Sequence, residues 1–132
     1  MQKRLFQSDN FTFSGLNGFE LEKLIICENP ETKNPIAVYI KVEKNNWYRF
    51  FLEADFNFGV LEKEGLDVDV ADTSYDFIDY TPKLKLYGQV IETIYCVSEN
   101  DNCKIVVGFV SGKNFVLRTT NFDFADSEFV ME

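Results

Sequence analysis

Between Gly65 and Tyr80 the chain reads GLDVDVADTSYDFIDY, with aspartates at Asp67, Asp69, Asp72, Asp76 and Asp79 and no lysine or arginine. Carboxylates this dense can hold a hard cation, cut a glycosidic bond as an acid–base pair, or present negative charge to a cationic partner. The run DVDVAD begins like a calcium loop. However, Ala71 stands where a third oxygen ligand belongs, and Asp72 where the loop needs glycine. Paired-carboxylate hydrolysis asks only that two acids sit roughly 5–10 Å apart. With 22 acidic residues in a small chain, that condition is met somewhere without meaning. The third chemistry fits best. Tyr75, Phe77 and Tyr80 lie among the aspartates, and aromatic anchors ringed by charge are what a tight protein interface uses.

Other residue types narrow the choice further. The chain contains no histidine, which removes Ser-His-Asp and Cys-His catalysis and the commonest transition-metal ligand. The run GFVSGKN at 108–114 is one residue short of a phosphate-binding loop and has Asn114 where the magnesium-binding hydroxyl belongs, so it reads as a hairpin turn. Cys27, Cys96 and Cys103 contain no C-x-x-C pair, against a disulfide framework or a zinc ribbon. Cys96 and Cys103 bracket a hairpin loop and are expected to be reduced. The expectation is a non-enzymatic protein with no catalytic residues, no metal and no cofactor.

The elements that position the acids are strands. At 132 residues the chain is expected to be one domain, and fourteen Phe and 45% hydrophobic residues exclude a disordered acidic tail. IAVYIKVE alternates Ile36, Val38, Ile40 and Val42 against Ala37, Tyr39, Lys41 and Glu43, the period of a half-buried strand. Strands are also predicted over 18–28, 47–53, 103–110 and 114–120, with a longer one over 83–97 bent at Gly88. Two runs share a grammar: Leu16-x-Gly18 aligns with Leu86-x-Gly88 and Glu22 with Glu92, 70 residues apart. After the loop, Val38 aligns with Val106, Val42 with Val110 and Asn46 with Asn114, and Asp55-Phe56 with Asp123-Phe124, 68 apart. Either an internal duplication or two independent meanders with like statistics would produce this. The fold is predicted to be mainly β: antiparallel meanders over about 16–58 and 84–122, packed as a sandwich or half-open barrel.

An acidic connector over 60–82 and an acidic tail over 123–132 complete this plan. Within the connector 68–79 fits two patterns. LDVDV alternates like a strand, while a helix would align Asp69, Asp72, Asp76 and Asp79 in one stripe beside Val68, Ala71, Tyr75 and Ile78. A short helix or an irregular segment is the expectation. The aromatic run Trp47, Tyr48, Phe50 and Phe51, with Phe56 and Phe58, is either core or the lining of an apolar cavity.

Charge is the most informative signal. Residues 60–80 hold seven acids against Lys63, and residues 121–132 hold Asp123, Asp126, Glu128 and Glu132 with no base. Net charge is −9, so the remainder of the chain is close to neutral. Concentrated charge steers a cationic partner and repels nucleic-acid phosphates. In its acidity, its β-rich pattern and its lack of histidine, with WYRFFLEADFNFG at 47–59 followed by the acidic stretch, the chain resembles bacterial immunity proteins of toxin–immunity systems. These include the systems of contact-dependent growth inhibition.

The resemblance implies a cytoplasmic inhibitor of a cognate cationic toxin, a nuclease being the natural example, with no direct nucleic-acid or membrane contact. A monomer or weak homodimer is expected. Partner-binding is assigned to Asp69, Asp72, Tyr75, Asp76, Asp79 and Tyr80, with Glu62, Glu64, Asp67, Asp123, Asp126 and Glu128 adding charge. An apolar-ligand-binding β module is the alternative, and a DNA-mimicking inhibitor of DNA-binding enzymes is the third reading.

Overall fold

The computed structural model describes residues 2–8, 11–42, 47–52, 58–63, 76–99, 102–121 and 126–132, and among them every regular element is a strand. In chain order these are β1 (Gln2–Ser8), β2 (Phe11–Phe13), β3 (Leu21–Glu28), β4 (Pro35–Val42), β5 (Trp47–Leu52) and β6 (Phe58–Lys63). They continue as β7 (Asp76–Asp79), β8 (Ile91–Glu99), β9 (Asn102–Phe109), β10 (Asn114–Asn121) and β11 (Asp126–Met131). One sheet runs β1-β6-β5-β4-β3-β7 and the other β11-β10-β9-β8-β2, with all pairings antiparallel. The sheets do not close into a barrel. They pack as a sandwich.

Alternation builds the core. Leu24, Ile26, Val38, Ile40, Val42 and Phe50 of the first sheet meet Ile94, Cys96, Ile105, Val107, Phe109, Phe115 and Leu117 of the second in one buried cluster. Each such side chain contributes roughly 1.5–3 kcal/mol by leaving water. The intervening residues of the first sheet, Ile25, Cys27, Ala37, Tyr39 and Trp47, form a second buried cluster with Phe77, so that sheet is apolar on both faces.

The two halves are related by reciprocal pairing. Gly18 N–H donates to the Ile91 carbonyl at 2.7 Å and Gly88 N–H to the Leu21 carbonyl at 2.9 Å. Leu21 N–H donates to Gln89 at 2.8 Å and Ile91 N–H to Phe19 at 2.9 Å, around a Glu20–Val90 bridge. Each half also lends its leading strand to the other half's sheet: β2 pairs with β8, and β7 with β3. The repeat legible in the sequence is therefore a pair of interlocked units, each longer than the three-stranded meander expected.

Several expectations change. The spacing of 70 holds through β3 and β8, but beyond the loop it is 67 rather than 68. Ile26 pairs with Val38 and Cys96 with Ile105, which makes Val38 equivalent to Ile105 and Val42 to Phe109. Val110, the expected partner of Val42, is 62% exposed. A slip of one residue moves a side chain to the opposite face of a sheet. Residues 81–88 form turns, so the strand expected from 83 begins only at Ile91. Residues 76–79 are a strand, which rules out a helix over the whole of 68–79. The expected tail contains β11, and the expected connector begins inside β6 and ends beyond β7.

Gly18 and Gly88 turn the chain at φ 87° and 81°, and a Cβ added at either meets nothing within 4 Å. Alanine at either position is therefore a test of backbone strain alone. Each substitution should cost about 1–2 kcal/mol in urea unfolding, with the two values similar.

Candidate functional site: two acidic edge strands

Strand β7 ends the first sheet beside β3. Its period of two separates the two acids that a helix would have aligned: Asp76 is registered with Glu28, and Asp79 with Ile25. Between them Phe77 packs edge-on against Tyr39, with ring centroids 5.7 Å apart. Asp76 faces Lys33 across 3.9 Å, and both side chains are well exposed, so the pair adds little stability. Asp79 is exposed and caps the turn that follows. Its Oδ1 accepts from the Thr81 N–H at 2.9 Å and the Thr81 hydroxyl at 2.6 Å. Thr81 is itself buried, and its Oγ1 accepts from Leu24 N–H at 2.8 Å. Asp79, Glu22, Lys23, Thr81, Pro82 and Tyr87 line an open cleft of about 480 Å³.

Tyr80 is held from both ends. Its hydroxyl donates to Oε2 of Glu28 at 2.7 Å, and Glu28 is only 4% exposed. Its ring meets Phe129 edge-on at 4.8 Å, and Phe129 in turn stacks on Phe115 at 5.8 Å. The Lys83 ammonium lies 5.6 Å from the ring centroid. Burial first, and then the hydrogen bond to Glu28 and its charge, push the Tyr80 phenol from 10.0 up to about 12. Folding thus favours the neutral phenol. That contribution is full below pH 10 and is lost as pH rises towards about 12. Tyr80→Phe should remove this alkaline component. At neutral pH it should also cost about 1–2 kcal/mol by leaving Glu28 short of a donor, as measured by urea melts of both proteins from pH 7 to 12.

Strand β11 ends the second sheet beside β10. Glu128 Oε2 accepts from Arg118 Nε at 2.7 Å and Nη2 at 2.6 Å, while Glu132 lies 3.7 Å from Nη1. The Ser127 hydroxyl donates to the Pro35 carbonyl, tying β11 to β4. Through this bond and the Tyr80–Phe129 contact, two acidic segments some 50 residues apart in sequence meet on one side of the sandwich.

Of the residues expected to bind a partner, Asp76, Asp79, Tyr80 and Glu128 lie on or beside the two edge strands that meet here. Asp79, registered with Ile25 of the outer cluster, and Glu128, alternating with core-facing Phe129, point away from the Tyr80–Phe129 contact. Asp126 joins them by backbone register, opposite Asn121. Glu62 does not: it lies on β6, separated from β7 by β5, β4 and β3. Glu64, Asp67, Asp69, Asp72, Tyr75 and Asp123 lie outside the described residues. Tyr80 is a strut between the sheets rather than a projecting side chain. The spacing Asp79-x-Thr81, a local capping pattern, is a signal that could have flagged the Thr81 bonds. No local signal marks Glu28, whose partner is 52 positions away.

The aromatic run divides between the faces of the first sheet. Tyr48 and Phe50 join the main core, where both meet Phe13, whereas Trp47 joins the opposite cluster. Phe56 and the side chains of Phe51 and Phe58 lie outside the described residues. Among the described residues no group of three or more His, Cys, Asp or Glu could hold a metal ion, and no helix is long and apolar enough to cross a membrane. Cys27 is buried in the outer cluster of the first sheet and Cys96 in the core between the sheets, while Cys103 lies on β9. No protein-family model, curated protein or solved structure matches the chain.

Proposed function

We propose that this protein is a non-enzymatic inhibitor, an immunity protein that binds a cognate cationic toxin in the cytoplasm through its acidic edge strands. One observation carries the reading: the two acidic segments converge, through Tyr80 against Phe129, on a single side of the sandwich. A nuclease needs a basic cleft to hold phosphates, and a carboxylate array can occupy that cleft in their place. Charge complementarity then speeds association towards roughly 10⁸ M⁻¹s⁻¹ at low salt. Aspartates on a short edge strand also discourage unwanted strand pairing. That accounts for two acids on β7 but not for the gathering of both segments.

The test is tagged co-purification from the producing cell, washed at low and at high salt, with the bound protein identified by mass spectrometry. A stoichiometric basic protein, bound more weakly at high salt, is expected. Combining Asp76→Lys with Asp79→Asn changes the charge while keeping an oxygen for Thr81. This pair should weaken binding about tenfold or more at low salt, with the difference shrinking as salt screens it. Failure to find any basic partner, or an affinity indifferent to the pair, would sink the reading.

A further inference from the structure

The internal repeat offers a comparison of the protein with itself. Thr12 pairs with Tyr95 in the second sheet and Asp79 with Ile25 in the first, and Tyr95 stands 70 positions after Ile25, which makes Phe13 and Tyr80 equivalent. From these residues the two halves reach their equivalent leucines by links of different length. Phe13 is three positions before Leu16, whereas Tyr80 is six before Leu86. The longer link is closed on itself by Leu84 N–H to the Tyr80 carbonyl at 2.9 Å, Lys85 N–H to Pro82 at 3.2 Å and Leu86 N–H to Thr81 at 3.0 Å. It supplies Thr81 and Pro82 to the cleft that Glu22, Lys23, Asp79 and Tyr87 complete. The strands are common to both halves; this cleft is built by what one half adds to them.

Tyr87 is held where an anchor is needed. It is 75% exposed, although Leu86 before it is wholly buried and Gly88 after it donates to the Leu21 carbonyl at 2.9 Å. A large aromatic ring on fixed backbone loses little freedom when a partner covers it. The carboxylates beside it are oriented too. Both Thr81 bonds to Asp79 end on Oδ1, and the Lys41 ammonium meets Glu22 at Oε1, 3.3 Å away. An ionised carboxylate accepts through both oxygens, so Oδ2 of Asp79 and Oε2 of Glu22 keep capacity for a donor.

The geometry points to this cleft as the pocket for an arginine side chain of the partner polypeptide, its guanidinium set against the Tyr87 ring and the Asp79 and Glu22 carboxylates. This rests on the inhibitor reading for the partner's charge, and moves the aromatic anchor from Tyr80, which is a strut, to Tyr87. Arginine fits better than lysine because its planar fork stacks on an aromatic face and donates in two directions at once. An anionic ligand is the poorer occupant, since two carboxylates line the cleft against the single ammonium of Lys23. The same ammonium gives the test its sign. It repels a cation and holds an anion, so removing it moves the two affinities in opposite directions.

The probe is N-acetyl-L-argininamide, titrated into the ¹⁵N-labelled full chain while backbone amide shifts are followed. Saturable shifts at Lys23, Asp79, Thr81 and Tyr87 are expected. The corresponding lysine amide should bind about threefold more weakly or worse, and the glutamate amide should give no saturable shift. Tyr87→Ala, at a position exposed enough to leave folding undisturbed, should weaken binding of the arginine amide about threefold or more. Asp79→Asn, which keeps an oxygen for Thr81, should do likewise, and Lys23→Gln should tighten binding. No saturable shift, tighter binding of the glutamate amide, or weaker arginine binding in Lys23→Gln would overturn the proposal. So would a Tyr87→Ala protein that binds as the wild type does. If the probe fails while a basic partner is still captured by co-purification, the cleft is wrong and the inhibitor reading stands. If the probe docks but no basic partner exists, the reverse holds.

Discussion

Leu86→Ala should lower the unfolding free energy by about 2–5 kcal/mol, and Leu16→Ala should do the same to within about 1 kcal/mol. Both side chains are 0% exposed and belong to the single cluster between the sheets. Each is delivered there by a turn that ends in a glycine with positive φ, two residues further on. The turns are reached differently. Leu86 follows the Tyr80–Lys85 turn, held by Leu84 N–H to the Tyr80 carbonyl at 2.9 Å and Leu86 N–H to the Thr81 carbonyl at 3.0 Å. Leu16 follows β2 after a shorter link, with Asn17 N–H donating to Ser14 at 3.2 Å. If the halves are structurally equivalent, this difference in approach should not matter, because the cavity left behind has the same walls. Folding free energies of domains are about 5–15 kcal/mol, so either change removes a large share. Equilibrium urea unfolding of both variants checks the prediction. A full cost at one leucine and less than about 0.5 kcal/mol at the other would show that the halves are not equivalent.

Thr81→Val is the second large effect. Valine copies the shape of threonine and removes only its hydroxyl, at a position 4% exposed. That oxygen is the acceptor for Leu24 N–H at 2.8 Å and the donor to Asp79 at 2.6 Å. Its loss leaves a buried amide without that acceptor and leaves the Asp79 carboxylate with only one of its two Thr81 bonds, that from the N–H. The expected cost is about 2–3 kcal/mol, whereas Thr81→Ser, which keeps the oxygen, should cost less than about 1 kcal/mol. The variants also separate local from global effects. Hydrogen exchange at Leu24 should accelerate in Thr81→Val beyond what the loss of overall stability explains, because the β3–β7 junction opens first. Equal costs for valine and serine would show that the hydroxyl is not what holds the junction.

Much of the fold was legible because strand formation is local. The alternation in IAVYIKVE predicts β4 and the face that carries Val38, Ile40 and Val42 into the core, and NFVLRTT is read as β10. However, β4 is not half-buried as expected, because Ala37 and Tyr39 on its other face are covered as well. Absence of histidine and the confinement of acid to two segments are properties of composition and need no structure. The pair Leu16-x-Gly18 and Leu86-x-Gly88 was readable because each turn needs a backbone conformation that glycine adopts without strain, followed by an apolar strand.

What remained hidden depends on partners distant in sequence. Val38 and Val106 look equivalent by residue type, yet Ile105 faces the core, since the length of the β8–β9 hairpin decides which side is inward. Residues 76–79 fit a helical stripe on their own. Pairing with β3, about 50 positions earlier, supplies the ladder bonds that make them a strand and send Asp76 and Asp79 to opposite faces. Tyr80 reads as an interface anchor until Glu28 and Phe129 claim its two ends. The sequence by itself determined the strand content, the repeated turns and the amount and location of charge, because each arises from neighbouring residues. Only the tertiary structure decided the exchange of β2 and β7 between the sheets, the register of the second half and the meeting of β7 with β11. These are choices among long-range pairings of similar local cost, and burial in one shared core selects between them.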